Sequence, residues 1–133
     1  MNSYNGFSPT QRTRAQKWLN EQWEYGLLKR PTVCCACNQD KGIIHAHAEN
    51  YNEPFGSQTD EYHLCYRCHI ILHCRFNNPS AWIRYKKLLI EGWIWEPIYR
   101  NDFELIKKFL NGGDAPSKKG DVRVLIPFDK IGI

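Results

Sequence analysis

The stretch that decides the fold is Cys34-Cys35-Ala36-Cys37, followed by Ile44-His45-Ala46-His47-Ala48 and then His63-Leu64-Cys65-Tyr66-Arg67-Cys68-His69-Ile70-Ile71-Leu72-His73. It holds two Cys-x-x-Cys pairs, Cys34/Cys37 and Cys65/Cys68. A two-residue spacer lets both thiolates of a pair reach one ion, and two such pairs complete the tetrahedral four-sulfur shell that zinc takes in structural sites. The competing readings are reduced core cysteines or two disulfides. The chain has no apolar signal segment at its start, which predicts a reducing cytoplasmic setting in which disulfides do not persist. Cys35 and Cys74 are left over as free thiols, although Cys35 offers the first pair a second, tighter pairing.

Four of the five histidines fall at positions 45, 47, 69 and 73, between or just beyond the cysteine pairs. If the segment after Cys68 is a helix, His69 and His73 lie one turn apart on one face and can grip the same ion. If residues 42–48 are a strand, His45 and His47 point to one side. A hairpin followed by a helix, pinned by zinc, would bring these imidazoles together. Taken singly, each histidine reads as a core or surface residue; their joint spacing is what points to a second metal site.

In order along the chain, His47, Ala48, Tyr51, Pro54, Phe55, Asp60, Leu64, Cys65, Cys68, His69 and His73 resemble the HNH endonucleases of the ββα-metal superfamily, in their small zinc-stabilised form known from phages and restriction systems. That family reads roughly His-His-x-x-Tyr, a Pro-hydrophobic pair, an Asp or Asn before Leu-Cys-x-x-Cys-His, and a further His. The resemblance spans only the segment from Cys34 to His73.

It implies a hydrolase that cuts phosphodiester bonds of double-stranded DNA with one catalytic divalent cation, Mg²⁺ or Mn²⁺, with Ni²⁺ or Zn²⁺ as further candidates, beside the structural Zn²⁺. His47 and His69 would bind the catalytic ion, and His73 would be a third ligand or a phosphate contact. Asp60 stands where the family orients its general base. The base itself, a histidine in the family, is Ala48 here, and a methyl group cannot accept a proton. Three explanations are open: an inactivated variant, which is the preferred one because every other element of the site survives; another base, with His45 first in line; or a natural non-catalytic relative. From another class comes a zinc-binding module that binds nucleic acid or protein, its histidines merely lining the fold.

The formal charge of +4, from 18 Lys and Arg against 14 Asp and Glu, attracts polyanions weakly and discriminates little by itself. Contacts of Lys and Arg to phosphate would make DNA binding salt-dependent. A homodimer would be needed to read a symmetric site and cut both strands. No stretch approaches the roughly 20 apolar residues of a membrane span. The expected setting is the cytoplasm of a bacterial or phage-infected cell.

The fold class expected is α+β: a ββα-metal hairpin-helix core pinned by a four-cysteine zinc site, with flanking helices, in a single domain of residues 1–133. Its parts are an N-terminal helix within 8–30, the zinc and HNH core at 33–75, a helical extension at 79–112, and a linker and tail at 114–133. Ser8-Pro9 signals the first helix, over 10–28, with an apolar stripe of Trp18, Leu19 and Trp23, basic Arg12, Arg14 and Lys17, and a stop at Pro31. Ser80 is expected to cap a helix over 81–91 whose core face is Trp82, Tyr85, Leu88 and Leu89, with Arg84, Lys86 and Lys87 mostly outward. Trp93-Ile94-Trp95 reads as packing or as a stacking surface for bases. A third helix is expected over 101–110, a linker over 114–121, and a strand or ordered tail over 122–126.

Overall fold

The computed structural model describes residues 2–55, 61–97, 103–113 and 118–119. Among the described residues, four helices and two two-stranded sheets follow one another: α1 (Pro9–Glu24), β1 (Ile44–Ala48), β2 (Glu61–Cys65), α2 (Tyr66–His73), a 3₁₀ turn (Cys74–Phe76), α3 (Pro79–Ile90), β3 (Trp93–Ile94), α4 (Phe103–Leu110) and β4 (Lys118–Lys119). The class is α+β. β1 and β2 form an antiparallel hairpin, and β3 pairs antiparallel with β4, Trp93 opposite Lys119 and Ile94 opposite Lys118. The described residues group into two compact units, one within Met1–Pro31 and Ala46–Tyr62 and the other within Thr32–His45 and His63–Ile133. No helix among the described residues is long and apolar enough to cross a membrane.

The first unit is organised by α1. Ser8 and Gln11 form a reciprocal capping box, Gln11 N–H donating to Ser8 Oγ (3.2 Å) and Ser8 N–H to Gln11 Oε1 (2.8 Å), with Pro9 in the first turn where its missing N–H costs nothing. The helix ends at Glu24, earlier than the expected stop at Pro31. Gly26 takes a left-handed φ of 71°, and the amides of Tyr25, Gly26 and Leu27 turn back onto the carbonyls of Glu21, Trp23 and Gln22. A glycine reaches that conformation without a Cβ clash, so it terminates the helix before the proline is met. Ahead of α1, Asn5 and Gly6 (φ 51° and 82°) make a two-residue turn between Tyr4 and Phe7, which exchange both backbone hydrogen bonds. The turn sets Tyr4 and Phe7 edge-on to Tyr51, while the Arg12 guanidinium lies 5.3 Å from both the Tyr4 and Tyr51 ring centres. Trp18 packs on Phe55.

The core of the second unit is Leu64, Ile71, Leu72, Trp82, Tyr85, Leu89, Ile106 and Phe109, all buried. Trp82, Tyr85 and Leu89 form the inner face of α3 as the helical spacing predicts, with Leu88 half-buried at its edge. Asn78, rather than Ser80, is the cap: its Oδ1 accepts from Ala81 N–H (3.3 Å) and from the Ser80 hydroxyl (3.2 Å), while its Nδ2 donates to the carbonyl of Leu110 at the end of α4 (2.8 Å). Pro79 occupies the first turn, so the helix begins two residues before the expected start. Arg84 turns inward, over the Phe109 ring at 4.4 Å and onto the carbonyl of Gly113, so the α4 terminus draws in a side chain expected to face solvent.

Trp95 is half-buried and packs against Tyr85 and Phe109 at 5.2 and 5.3 Å, at the edge of the core. α4 begins at Phe103, and residues 101–102 lie outside the described set, as do 122–126. Within the expected linker, Lys118 and Lys119 pair with β3. The two candidate caps of α3 are separable: Asn78→Ala is expected to lower stability by about 1–2 kcal/mol, and Ser80→Ala by less than about 0.5 kcal/mol, in urea denaturation followed by circular dichroism.

Candidate metal centre

The four cysteines reach one point from two kinds of backbone. Cys34 and Cys37 sit in a turn closed by Asn38 N–H to Cys34 carbonyl (2.9 Å) and Cys34 N–H to Gln39 carbonyl (2.8 Å), with Asn38 in the left-handed region at φ 64°. Cys35 N–H donates to the carbonyl of His63 (2.7 Å), which ties this turn to β2. Cys65 is the last residue of β2 and the N-cap of α2, and Cys68 lies in the first turn of that helix. All four are buried, with Sγ atoms within 4.8 Å of one another. The Cys37 and Cys65 sulfurs are 3.6 Å apart, and all six cysteines are free thiols. A tetrahedral ion with metal–sulfur bonds of about 2.3 Å places its sulfurs about 3.8 Å apart, whereas a disulfide needs about 2.05 Å. Donor set, spacing and burial therefore fit a structural ion such as zinc.

The thiols divide charge unevenly. Hydrogen bonding from Cys37, then from Cys65 and Cys68, pulls the Cys34 thiol far below its ordinary value, while burial pushes the Cys68 thiol far above it. Thiolate forms readily in such a cluster, and a divalent cation is the natural compensation for its charge. Cys35 and Cys74 stay outside. The Cys35 residue is exposed, yet local desolvation, reinforced by the charge of Cys34, pushes its thiol up to about 11; Cys74 is half-buried and its thiol is raised by burial.

The four histidines are distributed over both units. In the second unit His45 Nδ1 lies 2.8 Å from His69 Nδ1, and the His69 and His73 rings meet edge-on with centres 4.6 Å apart, one turn apart on α2 as the spacing predicts. In the first unit His47 is buried, its Nε2 2.5 Å from Glu49 Oε2 and 3.3 Å from the Tyr4 hydroxyl, which also donates to that carboxylate. Tyr62 stacks on the His47 ring. Ala48 closes β1 as a half-buried methyl group, and Asp60 lies outside the described residues.

No family model, curated protein or solved structure matches this chain.

Four contacts around the candidate ligands were not legible beforehand: Tyr4 and Glu49 on His47, and Arg67 and Tyr85 against the cysteines. The Asn5-Gly6 pair was a usable turn signal for Tyr4. Nothing in the sequence marks Tyr85 apart from its core spacing.

With the metal site loaded, iodoacetamide under native conditions is expected to label two thiols, Cys35 and Cys74, and all six after chelation and unfolding, as read by intact mass. A raised thiol keeps its proton and the thiolate is the reactive form, so labelling at Cys35 is expected to keep accelerating with pH up to about 11.

Proposed function

We propose that this chain is an HNH-type endonuclease that hydrolyses double-stranded DNA with one catalytic divalent ion, and that it is a base-deficient form of that enzyme because Ala48 occupies the general-base position. The reading is supported above all by one observation: a β1–β2 hairpin runs directly into α2 at the cysteine cluster, with His45 against His69 and His69 against His73. That is the order of parts the sequence resemblance requires. His47, two residues beyond His45 on the same face of β1, would join His69 and His73 as ligand.

The ion, Mg²⁺ or Mn²⁺ by preference and otherwise Ni²⁺ or Zn²⁺, would stabilise charge on the scissile phosphate and the leaving oxygen. The chain's own residues do the remainder. The imidazoles hold the ion, and lysines and arginines bind flanking phosphates. Asp60 keeps the orienting role proposed from the sequence, and His45 is the nearest substitute for the missing base.

Ala48 equally favours a second reading, a zinc-dependent binding module for nucleic acid or protein that does no chemistry. The two readings part on the second metal. In a supercoiled-plasmid assay with Mg²⁺ and then Mn²⁺, Ala48→His is expected to nick or cut about 10²–10⁴-fold faster than the chain as given. His69→Ala is expected to abolish a second, weaker metal-binding event while the cysteine site keeps its ion, as followed by calorimetric titration. An unchanged titration together with an inactive Ala48→His variant would leave the binding module standing.

A further inference from the structure

Arg67 lies between Cys65 and Cys68 on the first turn of α2 and is 1% exposed. Its guanidinium donates from Nε to the Tyr85 hydroxyl (3.0 Å), from one terminal nitrogen to the carbonyl of Glu96 (2.7 Å) and from the other to Cys37 Sγ (3.5 Å), with Trp95 stacked against it at 5.0 Å. Among the described residues no carboxylate pairs with it. A buried cation without a counter-charge is strongly destabilising, and among the described residues the groups beside Arg67 that can carry negative charge include the cysteine sulfurs. Four neutral thiols would leave Arg67 uncompensated. Four thiolates around a divalent ion carry a net charge of −2, which a buried guanidinium partly offsets.

Tyr85 extends the same arrangement. Arginine only donates, so the Tyr85 oxygen is the acceptor for Nε and its own O–H is left to donate to Cys68 Sγ, 2.9 Å away. The direction is thereby settled: Arg67 to Tyr85 to Cys68, with a second arm from Arg67 to Cys37. One sulfur of each Cys-x-x-Cys pair receives a hydrogen bond backed by the same positive charge, the kind that is shorter and stronger than a neutral one.

We infer that Arg67 and Tyr85 are positioning residues for the four-cysteine metal site: they supply its counter-charge and draw electron density off Cys37 and Cys68, so that the site keeps its ion against chelators and electrophiles. Groups of this outer kind orient ligands and tune the metal they surround. The role is independent of whether the chain cuts DNA.

The test uses the full chain loaded with Zn²⁺, and separately with Co²⁺ as a spectroscopic probe. Tyr85→Phe removes one hydroxyl and keeps the ring in the core. Transfer of Zn²⁺ to a chromogenic chelator is expected to accelerate roughly 10- to 100-fold in this variant. The sulfur-to-cobalt charge-transfer band is expected to move to lower energy, because a thiolate that loses a hydrogen bond gives up an electron more easily. Arg67→Lys keeps the charge but cannot reach Tyr85 and Cys37 together, and should move the band the same way. Leu89→Ala controls for loosening of the core: it should leave the band in place. Unmoved bands in both Tyr85→Phe and Arg67→Lys, or an equal shift in Leu89→Ala, would overturn the assignment.

Discussion

Convergence of four sulfurs on one point is the constraint from which the second unit takes its shape. Cys34 and Cys37 belong to a turn without regular structure, and Cys65 and Cys68 to the junction of a strand with a helix. Structural zinc in small peptides contributes about 10–16 kcal/mol, comparable with or larger than the whole net stability of a typical domain at about 5–15 kcal/mol. An ion bound here would therefore outweigh any single packing contact in the unit. Leu64, Ile71, Leu72 and the inner face of α3 are buried in the same unit, and Tyr85 of that face reaches Cys68.

The first unit is held differently. Its buried residues in α1 are Ala15 and Leu19, and aromatic contacts add to them: Tyr51 meets Tyr4 and Phe7 edge to face, and Arg12 covers the Tyr4 and Tyr51 rings, beside the Tyr4–His47–Glu49 hydrogen bonds. Aromatic pairs of this kind add about 0.5–1.5 kcal/mol beyond area burial, modest terms that depend on correct mutual angles. The Asn5-Gly6 turn supplies those angles by fixing where Tyr4 points.

Legibility in the sequence followed the range of the interaction. Doubled Cys-x-x-Cys spacing, the four-residue step from His69 to His73, the Ser8-Pro9 start and the Trp82/Tyr85/Leu89 face are local periodicities, and each maps onto an observed element. Where two local signals competed, spacing alone chose badly. Gly26 stopped α1 ahead of Pro31 because a left-handed residue ends a helix as effectively as a proline, and Asn78 displaced Ser80 because its amide also reaches α4. Trp95 was ambiguous because an aromatic run looks the same whether it faces bases or a core. Long-range pairings such as Tyr4 with Glu49 and Arg67 with Tyr85 leave no periodic trace, and only the folded chain shows them.

The N-terminus of α2 has no side-chain cap hydrogen bond and no acidic residue in its first turn; Cys65 and Cys68 stand there instead. A helix macrodipole favours negative charge at that end, and an isolated helix shorter than about 12 residues does not persist in water. Thiolates gathered on an ion there would therefore serve α2 as its cap and its nucleus at once. His69 and His73 ride on the same eight residues, so their register is inherited from the sulfurs. If an ion is held by the cysteines, its occupancy and the order of these two imidazoles would become one thermodynamic variable: whatever strips the ion would also loosen the register of His69 and His73.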